Sequence, residues 1–218
     1  MQPILSPKNG LLVSIPAQAF PKIKSLSTLR LCVKPLITSP CMKIISQTPR
    51  LLIREIETYD AGAVFELNQN PNVILYTSDP AFKTIEDARH LIETVIKQQY
   101  KSYRHGRWAV LLKDTGTFIG WCGLKFMPEL NQVDLGYRFM ETYWGKGFAT
   151  EAAMASLHYG FAQFNYNQII GRVMKQNMQS IKVLKKCGMT FSHEAELHEH
   201  PAYIYKISKE DFLSQTKI

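Results

Sequence analysis

No two of the four cysteines (Cys32, Cys41, Cys122, Cys187) stand in a C-x-x-C pair, and they are widely scattered. That spacing fits neither a zinc knuckle nor a disulfide framework, and a reducing cytoplasm is the simplest home for such a chain. No apolar run approaches the ~18 residues that a membrane-spanning helix needs. Internal repeats and low-complexity tracts are missing as well. Acidic residues are lacking in one region only. Before Met42 there are five basic residues (Lys8, Lys22, Lys24, Arg30, Lys34) and no Asp or Glu. Residues 42–218 therefore hold 21 of the 26 basic residues and all 18 acidic ones, and the net charge of +8 shrinks to +3 there. A charge concentrated in a leader argues against a nucleic-acid surface on the rest, while a mild positive excess suits an anionic ligand.

Residues 1–41 show no sustained period, and prolines break each apolar run within a few residues. Ala17-Gln18-Ala19 resembles a secretory cleavage site, but Leu11 to Ile15 is too short an apolar core before Pro16. A basic, serine-containing, acid-free leader fits an organelle transit peptide. A start at Met42 fits too, because a strand pattern begins almost at once behind it, and this is the reading we favour. The expectation is a leader over 1–41 and one domain over 42–218 in the cytoplasm, with organelle import as the alternative.

From Pro49 the pattern tightens. RLLIREI has the composition of a strand, a short helix follows around Asp60 to Leu67, and NQNPNV reads as a loop. Thr84 with Asp87 three residues on forms a capping box. Behind it Ile85, Ala88, Leu91, Ile92 and Val95 share one helical stripe to about Tyr103. Three strands are expected at 107–113, 117–126 and 132–140. Asp114-Thr115-Gly116 turns the first two into a hairpin. A helix over about 147–164, a strand over 168–175 and a second helix ending at Gly188 come next, with Lys185 and Lys186 well placed in its last turn. The stretch MTFSHEAELHEHPAYIYKIS forms a final hairpin. The order is that of an α/β (α+β) domain, a mixed sheet with helices on both faces.

The segment YWGKGFATEA (143–152) has the vocabulary of a phosphate cradle. A Walker A loop needs glycine at position 140, where Met stands, and Ser or Thr after Lys146, where Gly147 stands. The dinucleotide fingerprint G-x-G-x-x-G fails at Thr150 and wants a parallel strand–helix–strand unit. What remains is strand, short loop, Gly-x-Gly, helix. Free N–H groups and the positive dipole end favour an anion there, and bare glycines allow it close. Ala149, Ala152, Ala153 and Ala155 keep the helix slim against the sheet.

At these residues the sequence resembles the GNAT superfamily of acetyl-CoA-dependent N-acetyltransferases, most closely the branch of the ribosomal-protein alanine N-acetyltransferases. The likeness is carried by PRLLIREI, LGYRFMETYWGKGFATEAA and KQNMQSIKVLKKCGMTF, over about residues 48–210. It implies the GNAT fold, a mostly antiparallel sheet of about seven strands. It places the CoA diphosphate on the N–H groups of Gly145, Lys146, Gly147, Phe148 and Ala149, with Thr150 closing the loop. Main-chain groups of Arg138, Phe139 and Met140 would pair with pantetheine, and Asn177 and Ser180 would face the CoA arm. Two positions depart from the family pattern: Thr142 stands where Gln or Arg is common, and Leu184 where many members carry a tyrosine as acid to the departing thiolate.

Acetyl transfer to an amine needs a neutral amine, a stabilised oxyanion and a proton for the thiolate. Asp134, in the strand expected beside the thioester, is the candidate base, against the plainer reading of a solvated or salt-bridged strand residue. Glu151 is read as a first-turn charge, and Asn177 as a helix cap that also touches CoA. Lys146 either meets phosphate or turns to water. Trp108, Trp121 and Trp144 are read as packing aromatics, Cys122 and Cys187 as buried thiols. His193 and His198 are five apart in a strand pattern, against the four-residue spacing of a helical zinc site, so no metal is expected. Glu194, Glu196 and Glu199 read as a solvated hairpin edge, or as charges that attract a cationic amine at the end of the acceptor groove the resemblance implies. The function implied is N-acetyl transfer from acetyl-CoA to a protein or peptide N-terminus or a small amine. The alternative is a non-catalytic CoA-binding sensor or interaction module of the same fold. Monomer and homodimer both remain open.

Overall fold

Asp114-Thr115-Gly116 turns the chain back as the composition demands, with the Gly116 N–H donating to the Leu112 carbonyl at 2.8 Å. The computed structural model describes residues 42–215, so the leader expected over 1–41 lies outside the described residues. Eight strands make one sheet: β1 (Ile44–Gln47), β2 (Leu51–Glu55), β3 (Arg107–Leu112), β4 (Phe118–Met127), β5 (Gln132–Phe139), β6 (Gln168–Met174), β7 (Thr190–Leu197) and β8 (His200–Ser208). Their spatial order is β1-β2-β3-β4-β5-β6-β8-β7. Every neighbouring pair is antiparallel except β5–β6, which is parallel. The sheet is mixed and mostly antiparallel as expected, with one strand more. That strand, β1, spans four residues and is too short to show a period.

Period-2 alternation decides what each face meets. In β3, Trp108 and Val110 enter the larger core, together with Ala152, Ala153, Leu157 and Phe161 of helix α5 (Phe148–Gln163). Ala109 and Leu111 point the other way. There they meet Ala61 and Val64 of α1 (Ala61–Gln69) and Ala88 of α3 (Ile85–Leu91). Helix α2 (Pro71–Ile74) occupies the expected loop, capped by the Asn70 side chain. Thr84 and Asp87 form the expected capping box on α3. The stripe behind it continues through a π turn over Ile92–Ile96 into α4 (Lys97–Tyr103). On the α5 face, α6 (Met178–Lys186) contributes Ile181 and Leu184 to the core. A further helix, α7 (Lys209–Gln215), follows the final hairpin and sends Phe212 against Phe161.

The crossover through α5 makes β5 and β6 parallel, and their only register pair is Asp134↔Ile170. Beyond it β6 stays bonded to β8 as far as Met174↔Ala202, and β5 to β4 as far as Gly120↔Phe139. The two strands part between these fixed neighbours. A V-shaped opening in the sheet results.

Candidate active site

At the mouth of that opening, Trp144 to Gly147 lead from β5 into α5. Gly147 is the N-cap of α5 with φ +81°, and Gly145 has φ +74°. An L side chain in that conformation costs about 1–2 kcal/mol, which glycine avoids. A Cβ at Gly145 would meet nothing within 4 Å, and one at Gly147 only Arg50 Nη2 at 3.5 Å. The space before the loop is therefore open. No side chain caps α5, so its first-turn N–H groups are left for a ligand. An anion such as a diphosphate fits that donor set.

The cleft that runs from this loop into the opening has a volume of about 850 Å³. One wall is Tyr137, Arg138 and Phe139; another is Gln176, Asn177, Ser180, Lys182 and Lys186 at the start and outer face of α6. Asn72, Val73 and Leu75 to Thr77, after α1, supply part of the rim. The cleft thus gathers the expected Gly145, Gly147, Phe148, Ala149, Thr150, Asn177 and Ser180. Asn177 caps α6 by accepting from the Ser180 N–H at 3.0 Å. The Ser180 carbonyl in turn accepts from the Tyr137 hydroxyl at 3.0 Å. Burial, the largest influence on that phenol, pushes its pKa well up and keeps it protonated. Leu184 is fully buried beneath Gly171, so position 184 presents nothing to the cleft.

Three expected residues stand differently. Met140 gives its N–H to the Ile119 carbonyl at 3.0 Å, which turns its main chain toward β4. Strand alternation turns Arg138 the same way, so the edge free to face pantetheine is that of Tyr137 and Phe139. The Phe139 carbonyl on that edge already accepts from the Trp144 indole at 2.8 Å. Lys146 is not among the lining residues; its ammonium lies 5.5 Å from the Tyr143 ring centroid.

The side chain of Arg138 crosses to the face of α1 and pairs with Asp79 and Asn68, a buried use no motif announced. Asp134, the candidate base, is 4% exposed and lies outside the lining residues. Its carboxylate accepts from Arg107 Nη2 at 2.6 Å and from the Arg172 N–H at 3.3 Å, with Arg172 Nε at 3.5 Å. Sequence reasoning also missed Arg50, which sits beside Gly147 and donates to the Lys146 carbonyl at 3.0 Å. Its position just before β2 held no sign of a partner about a hundred residues away.

The buried thiols of Cys122 and Cys187 are pushed up by burial to about 11 and about 12. Neither lines the cleft. Among the described residues no group of three or more His, Cys, Asp or Glu could hold a metal ion, and no helix is long and apolar enough to cross a membrane.

The Acetyltransferase (GNAT) domain family matches residues 50–190. An uncharacterized N-acetyltransferase of Bacillus licheniformis, p20, is 30% identical over 154 residues, which cover 70% of this chain and 85% of p20. A solved acetyltransferase (GNAT family) from Bacillus anthracis superposes with a TM-score of 0.65 at 28% identity, over 75% of this chain and 98% of its own. RimL, the ribosomal L7/L12 alpha-N-protein acetyltransferase solved with coenzyme A, superposes with a TM-score of 0.64 over 76% of this chain and 98% of RimL. At 14% identity RimL speaks for the fold alone. With a domain match over well more than half of its length, the chain belongs to the GNAT family of acetyl-CoA-dependent acetyltransferases.

Proposed function

We propose that this protein moves an acetyl group from acetyl-CoA directly to a primary amine, either a peptide N-terminus or a small amine, held with it in a ternary complex. The observation that carries this reading is the parted β5–β6 pair with an uncapped, glycine-entered helix at its mouth. The loop N–H groups from Gly145 to Ala149 would hold the diphosphate, and Lys182 and Lys186 on the rim offset its charge. The free edge of Tyr137 and Phe139 would hold the pantetheine arm. Acetyl-CoA, when bound, supplies an activated thioester.

Transfer is direct because neither described cysteine lines the cleft, and both stay protonated thiols near neutral pH. Tyr137 is not assigned the acid, since its hydroxyl already donates to the Ser180 carbonyl and burial, which holds its pKa well up, makes it a reluctant donor. Asp134 is not assigned the base, since its carboxylate is already engaged by Arg107 and Arg172. The unpaired cysteines suit a cytoplasmic location.

The test is thermal unfolding of the full chain with and without acetyl-CoA, then initial rates of thiol release with acetyl-CoA and amine both varied. A raised melting temperature and intersecting double-reciprocal lines are expected. Parallel lines would overturn direct transfer. An unmoved melting temperature would overturn the cofactor site.

A further inference from the structure

We infer that Asp134 and Arg107 are positioning residues that open the channel by diverting the hydrogen bonds which would otherwise close β5 onto β6. The inference rests on the proposed reading of that channel as the one taken by acetyl-CoA. A parallel ladder extends when each successive main-chain N–H is given to a main-chain carbonyl of its neighbour. At Asp134↔Ile170 the two strands are still paired. Two residues further along β6, where the register has ended, the Arg172 N–H is given to Asp134 Oδ1 at 3.3 Å. A side chain has taken the place of the ladder, and from that point the strands separate.

The carboxylate is aimed by Arg107 of β3. Its Nη2 donates to Asp134 Oδ2 at 2.6 Å, while Nη1 donates to the Asp134 carbonyl at 2.9 Å and the Gly123 carbonyl at 2.6 Å. The guanidinium carbon lies 5.6 Å from the Trp121 ring centroid. Arg107 reaches this place by crossing Gly136, where a Cβ would come within 2.3 Å of Nη2. The bare glycine is thus a condition of the arrangement. The pair is largely buried, with side chains 15% and 6% exposed. Such pairs often add little net stability over an apolar filling. A geometric role accounts for this one better than a stabilising role.

The test compares Asp134→Ala, Asp134→Asn and Gly136→Ala with the wild type. Amide exchange at Tyr137, whose N–H lies on the edge facing the opening, read without any ligand, should slow in Asp134→Ala as the ladder closes over it, while Arg172 stays protected by passing its N–H to the ladder. Acetyl-CoA affinity should fall by about tenfold in Asp134→Ala, because the arm depends on a preset width. Gly136→Ala, which dislodges Arg107 without changing charge, should weaken affinity in the same direction. At saturating acetyl-CoA, kcat and the shape of its pH profile should remain. Asp134→Asn keeps an acceptor for Arg172 and should fall between, so it carries the test if Asp134→Ala does not fold. Unchanged Tyr137 exchange in Asp134→Ala would overturn the inference whatever CoA does. Intact affinity with a collapsed kcat and a lost acidic limb would overturn it too, making Asp134 the base. Failure of the wild type to bind acetyl-CoA would count against the proposed function instead, leaving exchange to decide this point.

Discussion

Arg50, in the turn between β1 and β2, pairs its guanidinium with the Glu151 carboxylate in the first turn of α5 at 2.6 Å. Glu151 also accepts from the Thr48 hydroxyl at 2.6 Å and the Arg50 N–H at 3.1 Å. The guanidinium carbon lies 4.4 Å from the Phe148 ring centroid. A first-turn carboxylate suits the helix dipole, yet it would repel a diphosphate seated on the same N–H groups. The Arg50 pair removes that repulsion and fixes the Lys146 carbonyl, which sets the loop.

Arg50→Ala should therefore raise the KM for acetyl-CoA by about three- to tenfold with kcat retained, the scale of one charge-assisted bond. Lys lacks the fork that reaches both Glu151 and Lys146, so Arg50→Lys should recover only part. Arg50 is about half exposed, so the melting temperature should move little. Burial alone would raise the Glu151 carboxyl, but the bonds from Thr48 and Arg50 outweigh it and hold it below its ordinary value. The contribution is thus present above the ordinary carboxylate range and lost as pH falls through the lowered value. Steady-state kinetics from neutral pH downward checks both points.

Gly147 separates strain from ligand contact. In Gly147→Ala the new Cβ meets little, so the change should cost stability by about 1–2 kcal/mol through φ alone. Gly147→Asp adds a carboxylate at the proposed diphosphate site, and it should weaken acetyl-CoA by about 100-fold or more while still melting cooperatively. Calorimetric titration beside a melting curve distinguishes the two. Intact affinity in Gly147→Asp would remove the loop from the site.

How much of this was legible in sequence depends on whether a feature is local. The capping box at Thr84, the turn at Gly116 and the Gly-x-Gly entry to α5 are set by neighbours within a few residues, and all formed. β1 and α2 are too short to print a period, and α7 follows a hairpin that looked like an end. The pairings Arg50–Glu151, Arg107–Asp134 and Arg138–Asp79 join residues far apart in sequence, and charge alone names no partner. The main-chain roles given to Arg138 and Met140 depended on strand phase. A one-residue shift in phase turns every carbonyl to the other edge.

His105 gives the fold an acid-sensitive point away from the cleft. Its Nδ1 stands 3.0 Å from the Leu124 carbonyl, which can only accept, so Nδ1 carries the proton. Nε2 must then accept from the Tyr166 hydroxyl at 2.6 Å. Burial, with nearby Arg107, lowers the pKa of His105 despite the Leu124 bond. The unfolded chain then binds this proton more readily, so the contribution is intact above about pH 6.5 and lost as pH falls through the lowered value. Melting temperature should fall between about pH 7 and pH 5, and His105→Gln should flatten that slope while lowering stability throughout. An unchanged slope would assign the acid sensitivity to other groups.

Direct transfer makes its own demand on the cysteines. Cys122 shares a contact with Ser156 inside the core, and Cys187 closes α6, each in its thiol form. An acetylated thiol at either described cysteine would need a thiolate open to the cleft, and burial opposes both conditions. Cys122→Ala and Cys187→Ala should each keep kcat within about twofold, while the lost packing lowers stability by roughly 1 kcal/mol. Iodoacetamide should leave the folded enzyme active and label these thiols only on unfolding. A fall of about a hundredfold in kcat for either variant, with a cooperative melt retained, would instead point to an acetyl-cysteine and to two separate half-reactions.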